Sequence, residues 1–215
     1  MGLSRLTASR PLLGVLVERW WDTIDSFHLS TAGEMTMTPF DFSMLTSIGV
    51  GDDSIPFDTD MGEWDAAQIF MLGTRPPLSR PGFVRYSWFE DQFRGQTPMT
   101  REEVEHYTQG FLMFMLGTTL FADQANTVGL YLLNALVDVT RIRRYDWGGA
   151  DLATLYGYMS SSSCRSGHLL GGYWRAWELW VYAYFPRLAP ELEVEMAPVV
   201  TSSYRYDVRS PGSPG

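Results

Sequence analysis

The stretch from Gly110 to Pro186 places the strongest constraint on how this chain folds. It consists of several apolar segments separated by short polar or glycine-containing breaks. Segments this apolar are stable in water only when other parts of the chain cover them, so the pattern predicts several helices at the core of one domain. The longest apolar tract, Leu169–Phe185, contains Arg175 and Glu178, whose i,i+3 spacing predicts an ion pair on one helix face. These charges, and the shortness of the other apolar runs, argue against a membrane-spanning segment.

The composition is typical of a folded protein with a large core. The chain has 215 residues, of which 45% are hydrophobic and 14% aromatic, enough to bury a substantial interior. We predict a mainly α fold, a single compact multi-helix domain with a small N-terminal β-hairpin. The formal net charge of −9 disfavours general attraction to nucleic acid or anionic membranes, so any polyanion site must be a local patch. The single cysteine, Cys164, excludes an intrachain disulfide and fits a reducing compartment.

Lysine is absent from the sequence, and all 16 basic residues are arginine. A pyridoxal-phosphate enzyme needs a lysine amine for its internal Schiff base, and a P-loop nucleotide-binding protein needs the lysine of its glycine-rich motif. Both chemistries are therefore excluded. We predict no cofactor, and no nucleotide cofactor in particular.

Local capping signals predict the N-terminal elements. We predict a helix at 11–24, a β-hairpin with strands at 27–29 and 34–37, and a helix at 38–49. For the last helix, Thr38 is the expected N-cap, Pro39 occupies the first turn, and Asp41 favours the positive helix end.

The remaining elements are predicted from periodicity and turn residues. We expect a short strand at 55–57, helices at 62–73, 127–139, 149–159 and 167–185, and an ordered loop at 74–88. Thr100 and Glu103 form a capping box. The helix that follows carries an apolar stripe that we expect to face the core, made of Val104, Tyr107, Phe111, Phe114, Met115 and Thr118.

Several groups of chemically active side chains have simpler structural explanations. The acidic run Asp52–Asp65 lacks the pattern of a calcium loop, so we interpret it as a solvated acidic loop. Cys164 and His168 are spaced as a nucleophile–base pair, but no orienting third group is evident. Asp146 and Asp151 are the best carboxylate pair for a metal-dependent nuclease, although Asp146 is also well placed to cap a helix.

The arginines suggest a binding surface more strongly. Arginine binds phosphate through paired N–H groups and stacks on bases. The candidate nucleic-acid-binding residues are Arg75, Arg80, Arg85, Arg94, Arg141, Arg143 and Arg144. The alternative is that these arginines only balance the acidic excess.

Four blocks of sequence carry a family resemblance. They are VERWWDTIDSFHLSTAGEMTMTPFDFSMLTSIGV (17–50), FMLGTTLFADQANTVGLYLLNALVD (114–138), RYDWGGADLATLYGYM (144–159) and LLGGYWRAWELWVYAYFPRLAP (169–190). In this order they closely resemble the plant mobile domain over about Leu12–Pro190. The chain then divides into an N-terminal arm (1–10), the domain (11–190) and a flexible tail (191–215). Matching positions first interpreted as structural are Trp20, Phe27, His28, Glu34, Thr36, Gly117, Leu120, Phe121, Tyr145, Trp147, Gly148, Trp177 and Trp180.

The resemblance implies a nuclear, transposon-derived plant protein linked to silencing of transposable elements, genome stability and meristem maintenance. It supplies no catalytic residues, and the absence of lysine argues against the label "aminotransferase-like" that family members carry. Our leading hypothesis is a non-enzymatic module that binds duplex DNA or chromatin through the arginines. A protein-interaction scaffold with nuclear protein partners is the alternative, and a metal-dependent nuclease or recombinase remnant is a third.

Overall fold

The computed structural model describes residues 10–30, 32–51, 53–123, 125–164 and 171–189. The α-helices in these ranges are α1 (Arg10–Arg19), α2 (Pro39–Thr46), α3 (Asp65–Leu72), α4 (Tyr86–Phe93), α5 (Arg101–Thr118), α6 (Trp147–Ser163) and α7 (Arg175–Tyr184). The strands are β1 (Trp20–Trp21), β2 (Ser26–Leu29), β3 (Gly33–Met35), β4 (Leu78–Arg80), β5 (Phe83–Arg85) and β6 (Thr127–Gly129). Short 3₁₀ helices span Thr59–Gly62, Leu130–Leu136, Val139–Arg144 and Pro186–Leu188. The mainly α fold class is confirmed. The arm, the tail, Asp52 and His168 lie outside the described residues.

The first hydrophobic cluster packs α1, α2, α6 and α7 around the antiparallel sheet β1-β2-β3. The N-terminal hairpin is confirmed, because Phe27 pairs with Met35 in β2 and β3. The predicted end of the first helix is wrong. The helix ends at Arg19, since Trp20 and Trp21 form a strand that pairs with β2. This alternation buries Trp20 and exposes Trp21, as expected for adjacent strand residues.

The cap of α2 is confirmed. The Asp41 amide donates to the Thr38 hydroxyl oxygen at 3.1 Å, and the Thr38 amide donates to an Asp41 carboxylate oxygen at 2.9 Å. The helix ends at Thr46 and not at Gly49, because Ser47 adopts a left-handed backbone with a φ of 61°. Phe42 is buried in the first cluster.

The second hydrophobic cluster lies among α3, α4, α5, the sheet β4-β5-β6 and the 3₁₀ helix at 130–136. Three predictions fail here. The expected loop at 74–88 contains the β4–β5 hairpin, the expected strand at 55–57 does not form, and the expected helix at 127–139 begins as β6. For β6 the reason is long-range pairing: Val128 lies opposite Val84 in adjacent strands, which periodicity within one segment cannot reveal.

The capping box of α5 is confirmed, but the predicted inner face is correct only in part. Tyr107 and Phe114 pack against the second cluster as expected, whereas Val104, Phe111 and Met115 are 46%, 51% and 40% exposed and lie on the outer side. Buried positions of α5 include Met113 and Leu116.

Two glycines explain which side of α5 faces inward. A Cβ atom at Gly110 would lie 2.2 Å from the Phe93 ring, and one at Gly117 would lie 2.6 Å from Val128 Cβ. The absence of side chains at these glycines lets α4 and β6 approach the helix backbone closely. Close approach is therefore decided by the smallest residues of α5 rather than by its largest ones.

The C-terminal helices match their predictions in part. Helix α6 begins two residues earlier than expected and continues to Ser163, whereas α7 covers only 175–184. The predicted start of the last helix falls in 165–170, outside the described residues. The ion pair between Arg175 and Glu178 is confirmed, and both side chains are largely buried. Within the described ranges, no helix is both long and apolar enough to cross a bilayer.

The two hydrophobic clusters meet where the segment after α2 runs past the start of α6. The Gly148 amide donates to the Gly49 carbonyl oxygen at 3.2 Å. The Gly51 amide donates to the Asp146 carboxylate at 3.1 Å. Asp53 forms an isolated parallel bridge with Tyr145. This junction fixes the start of α6 relative to the 3₁₀ helix that carries three arginines.

Candidate functional site

Carboxylates lie against five of the seven candidate arginines. The pairs are Arg75–Asp65 at 2.9 Å, Arg80–Asp123 at 3.0 Å, Arg94–Glu90, Arg141–Asp53 at 3.5 Å and Arg144–Asp53 at 3.2 Å. Arg85 and Arg143 are exposed, and the described part of the chain provides no ion-pair partner for either one. The positive charge that the sequence suggests is therefore largely compensated locally.

The basic turn Arg141–Arg144 illustrates this compensation. Asp53 accepts from two of its arginines, and Asp146 borders the turn on its C-terminal side. Asp138 caps the 3₁₀ helix at 139–144, and hydrogen bonds from the Thr140 hydroxyl and amide lower the pKa of its carboxyl. Three arginines thus share the turn with three aspartates, so it is not a strongly positive patch.

The contacts of Arg80 indicate a structural role. Its guanidinium lies 3.6 Å from the centroid of the Phe83 ring and donates to Asp123. Asp123 in turn accepts from the Thr127 amide at 2.7 Å. Arg80 therefore helps to join β4 to the start of β6. This acidic partner could not be predicted from the sequence, because it lies 43 positions away.

The two aspartates proposed for a nuclease site both have structural roles. Asp146 caps α6 by accepting from the Gly149 amide at 2.7 Å, which confirms the capping interpretation. Asp151 is fully buried and accepts from the Tyr173 amide at 3.2 Å. Burial raises the pKa of Asp151 to about 8, whereas a metal-binding carboxylate must be ionised and accessible.

The other candidate ligands are also dispersed. Asp58 begins the 3₁₀ helix at 59–62, and Asp65 pairs with Arg75. The Cys164 thiol lies 3.1 Å from a carboxylate oxygen of Asp22, and its proposed partner His168 is not among the described residues. Across the described ranges, no three His, Cys, Asp or Glu residues come together as a metal-binding group.

A cleft of about 440 Å³ lies between the C-terminal end of α3, the α4–α5 loop and the start of α5. His106 Nε2 lies 3.0 Å from the Phe70 carbonyl oxygen, and Glu103 accepts from the Met99 amide at 2.8 Å. Capping hydrogen bonds lower the pKa of Glu103. The His106 ring and the Glu103 carboxylate in the cleft wall thus already interact with backbone groups.

Exposed apolar side chains form a more distinctive feature where α2 packs on α7. We call Phe40, Met44, Tyr184 and Leu188 the α2–α7 surface. They are 72%, 51%, 48% and 60% exposed. The Tyr184 hydroxyl donates to an Asp41 carboxylate oxygen at 2.8 Å and so joins the two helices. This surface could not be predicted from the sequence, because its residues come from segments about 140 positions apart.

The comparison with protein families identifies the fold family. The family model of the plant mobile domain matches residues 2–210. The chain belongs to the plant mobile domain family. This plant mobile domain is also similar to three Arabidopsis thaliana proteins. It is 30% identical to Protein MAIN-LIKE 2 over 88% of the chain, and 28% identical to Protein MAINTENANCE OF MERISTEMS over 82%. It is 26% identical to Protein MAIN-LIKE 1 over 86% of the chain.

The relatives are much longer than the matched region. The alignments span 29% of MAIN-LIKE 2 and 38% of each of the other two proteins. No solved structure matches this plant mobile domain significantly.

Proposed function

We propose that this plant mobile domain is a non-enzymatic module that binds a protein partner through the α2–α7 surface. The observation that carries the proposal is the exposure of four large side chains on α2 and at the end of α7, two helices that the hydrogen bond from Tyr184 to Asp41 joins. Contiguous patches of exposed apolar side chains mark interaction sites on soluble proteins. This is the alternative that sequence analysis left open, and the local neutralisation of the arginines favours it over the DNA-binding hypothesis.

The α2–α7 surface has the composition of a binding hot spot. Aromatic residues dominate the binding energy of protein interfaces, particularly when they are held in place before the partner arrives. Phe40 supplies a large exposed ring, and the hydrogen bond to Asp41 fixes the Tyr184 side chain. A partner with an apolar pocket and a rim donor for Asp41 fits this chemistry.

The cellular setting is part of the same proposal. The relative named MAINTENANCE OF MERISTEMS supports a role in meristem maintenance, and to this we add, as part of the proposal, a nuclear setting and silencing of transposable elements. The partner is then a nuclear protein, and this chain contributes binding rather than catalysis.

A pull-down from nuclease-treated plant nuclear extract tests the proposal. We expect the wild-type chain to retain a partner that the Phe40→Ser/Met44→Ser variant loses by at least about tenfold, since two apolar anchors are removed. The matched control is Phe70→Ser, which removes an equally exposed ring from α3. Equal capture by wild type and the double variant contradicts the proposal.

DNA binding is a second candidate function, favoured by the two arginines that lack an acidic partner among the described residues. Arg85 and Arg143 are free to contact phosphate. In an electrophoretic shift at low salt, we expect Arg85→Ala/Arg143→Ala to weaken binding of duplex DNA and to reduce its salt dependence. The control Arg75→Ala removes an arginine already paired with Asp65. No shift of wild type at low salt rules this function out.

A further inference from the structure

The outer side of α5 carries apolar and β-branched residues at the spacing of a coiled-coil seam. We define the outer α5 face as Val104, Thr108, Phe111, Met115 and Thr118. Successive members are separated by four, three, four and three residues, the alternation that keeps one stripe of a helix facing a partner helix. The opposite side of α5 packs against α3, α4, β6 and the 3₁₀ helix at 130–136.

The two threonines of the outer α5 face do not interrupt its apolar character. The Thr108 hydroxyl donates to the Val104 carbonyl oxygen at 2.7 Å, and the Thr118 hydroxyl donates to the Phe114 carbonyl oxygen at 2.7 Å. Because these hydroxyls are satisfied within the helix, the threonine methyl groups remain for contact. A partner helix can therefore cover the outer α5 face without burying an unpaired polar group.

We propose that the outer α5 face pairs antiparallel with the same face of a second copy, with a two-fold axis at Phe111. The face is self-complementary about this residue. Val104 of one copy lies opposite Thr118 of the other, and both are β-branched. Thr108 lies within one position of the residue opposite Met115, so that a small residue neighbours a large one across the interface. The two Phe111 rings meet at the centre, where an aromatic anchor contributes most.

Charge placement selects the antiparallel arrangement. The charged residues of α5, which are Arg101, Glu102, Glu103 and Glu105, all lie in its first two turns. A parallel pair would place like charges side by side, and the helix dipoles would also repel. An antiparallel pair of 18-residue helices separates the two acidic ends by about 27 Å, well beyond the screening length of about 10 Å at 0.1 M salt.

The dimer is expected to be weak and strengthened by salt. One helix per copy buries less surface than a standard interface of about 1,600 Å², and interfaces below that size are typically transient. Each copy carries a net charge of −9, so mutual repulsion opposes association until salt screens it. The dimer should therefore appear at micromolar to millimolar protein concentration and increase between low and moderate salt.

Sedimentation velocity over a range of concentrations tests the pairing. We expect a concentration-dependent dimer for the wild-type chain and a monomer for Phe111→Glu, which places a carboxylate at the two-fold axis. The control is Val137→Glu, a charge placed at an exposed apolar residue outside the outer α5 face, which should still dimerise. Circular dichroism of each variant checks that it is folded. A monomeric wild type at every concentration, or an unchanged dimer with Phe111→Glu, overturns the proposal.

Cysteine cross-linking tests the register separately. In a Cys164→Ser background, Phe111→Cys should form a disulfide between its own two copies when an oxidant is added. Val104→Cys and Thr118→Cys should each form no disulfide cross-link alone and should cross-link when mixed. Self-cross-linking of Val104→Cys would contradict the antiparallel register. These variants leave the α2–α7 surface intact, so failure of the dimer and failure of the proposed partner binding are distinguishable.

Discussion

At the scale of single residues, Asp151 is a carboxyl group that the fold places entirely inside the protein. Its Oδ1 accepts from the Tyr173 amide, and the described residues offer no hydrogen-bond partner to its Oδ2. Desolvation disfavours the ionised form more than the single backbone hydrogen bond favours it. The pKa of Asp151 is therefore raised from 3.8 to about 8, and the group is predominantly neutral at neutral pH.

This shift predicts that Asp151 makes stability fall as pH rises. Between about pH 4 and pH 8 the folded protein holds a proton that the unfolded chain has lost, which costs up to about 1.4 kcal/mol per pH unit. Below this window both states are protonated, and above it both are ionised. Asp151→Asn does not titrate and keeps an oxygen for the Tyr173 amide. We expect its stability relative to wild type to increase by up to about 4 kcal/mol from pH 5 to pH 8.

Urea unfolding at several pH values measures this effect. The comparison with wild type at each pH removes the contributions of other groups, including Asp138 and Glu103, whose lowered pKa values stabilise the fold above about pH 4. A constant difference between Asp151→Asn and wild type across the window would show that Asp151 is ionised in the folded protein.

At the scale of the elements, α5 shows how a glycine can decide which side of a helix is buried. Its buried side approaches β6 closely at Gly117, where a Cβ atom would lie 2.6 Å from Val128 Cβ. Gly157 in α6 offers a contrast, since a Cβ atom there would meet nothing within 4 Å. The same substitution should therefore have opposite effects in the two helices.

We expect Gly117→Ala to destabilise the protein by about 1–3 kcal/mol, because overpacking against β6 outweighs the helix propensity of alanine. Gly157→Ala should stabilise it by about 0.5–1 kcal/mol, because propensity acts alone. Chemical denaturation of the two variants measures both. Stabilisation by Gly117→Ala would mean that β6 can move away from α5 at little cost.

The elements also show which predictions are local. The caps at Thr38 and Thr100 were predicted correctly because each needs only residues within three positions of itself. The inner face of α5 was predicted correctly only in part because apolar residues occur on all its sides, and the packing of Phe93 and Val128 against glycines selects one. Strand β6 was missed because its partner β5 is more than 40 positions away.

At the scale of the whole molecule, Asp146 lies where the two hydrophobic clusters meet. It caps α6 and also accepts from the Gly51 amide. We expect Asp146→Ala to cost about 1–3 kcal/mol, since it removes a helix cap and a second hydrogen bond between segments. Asp138→Ala is the matched control, because it removes an exposed cap of a short 3₁₀ helix and should therefore destabilise the protein less than Asp146→Ala does.

Urea unfolding, followed by tryptophan fluorescence and by far-ultraviolet circular dichroism, measures these changes in stability and shows whether the two clusters unfold together. The two signals should coincide in wild type if both clusters unfold together. Equal destabilisation by Asp146→Ala and Asp138→Ala would show that the contact with Gly51 contributes nothing to stability.

The sequence by itself determined the helical character, the helix caps, the exclusion of lysine-dependent chemistry and the membership of the plant mobile domain family, which the family match confirms. These depend on composition, on neighbouring residues or on spaced blocks of identity. Only the tertiary structure decided that Arg80 faces Asp123, that Asp151 is buried, and that Phe111 points outward. The physical reason is that charge compensation and burial depend on residues brought together from distant parts of the chain. Periodicity within one segment carries no information about those contacts.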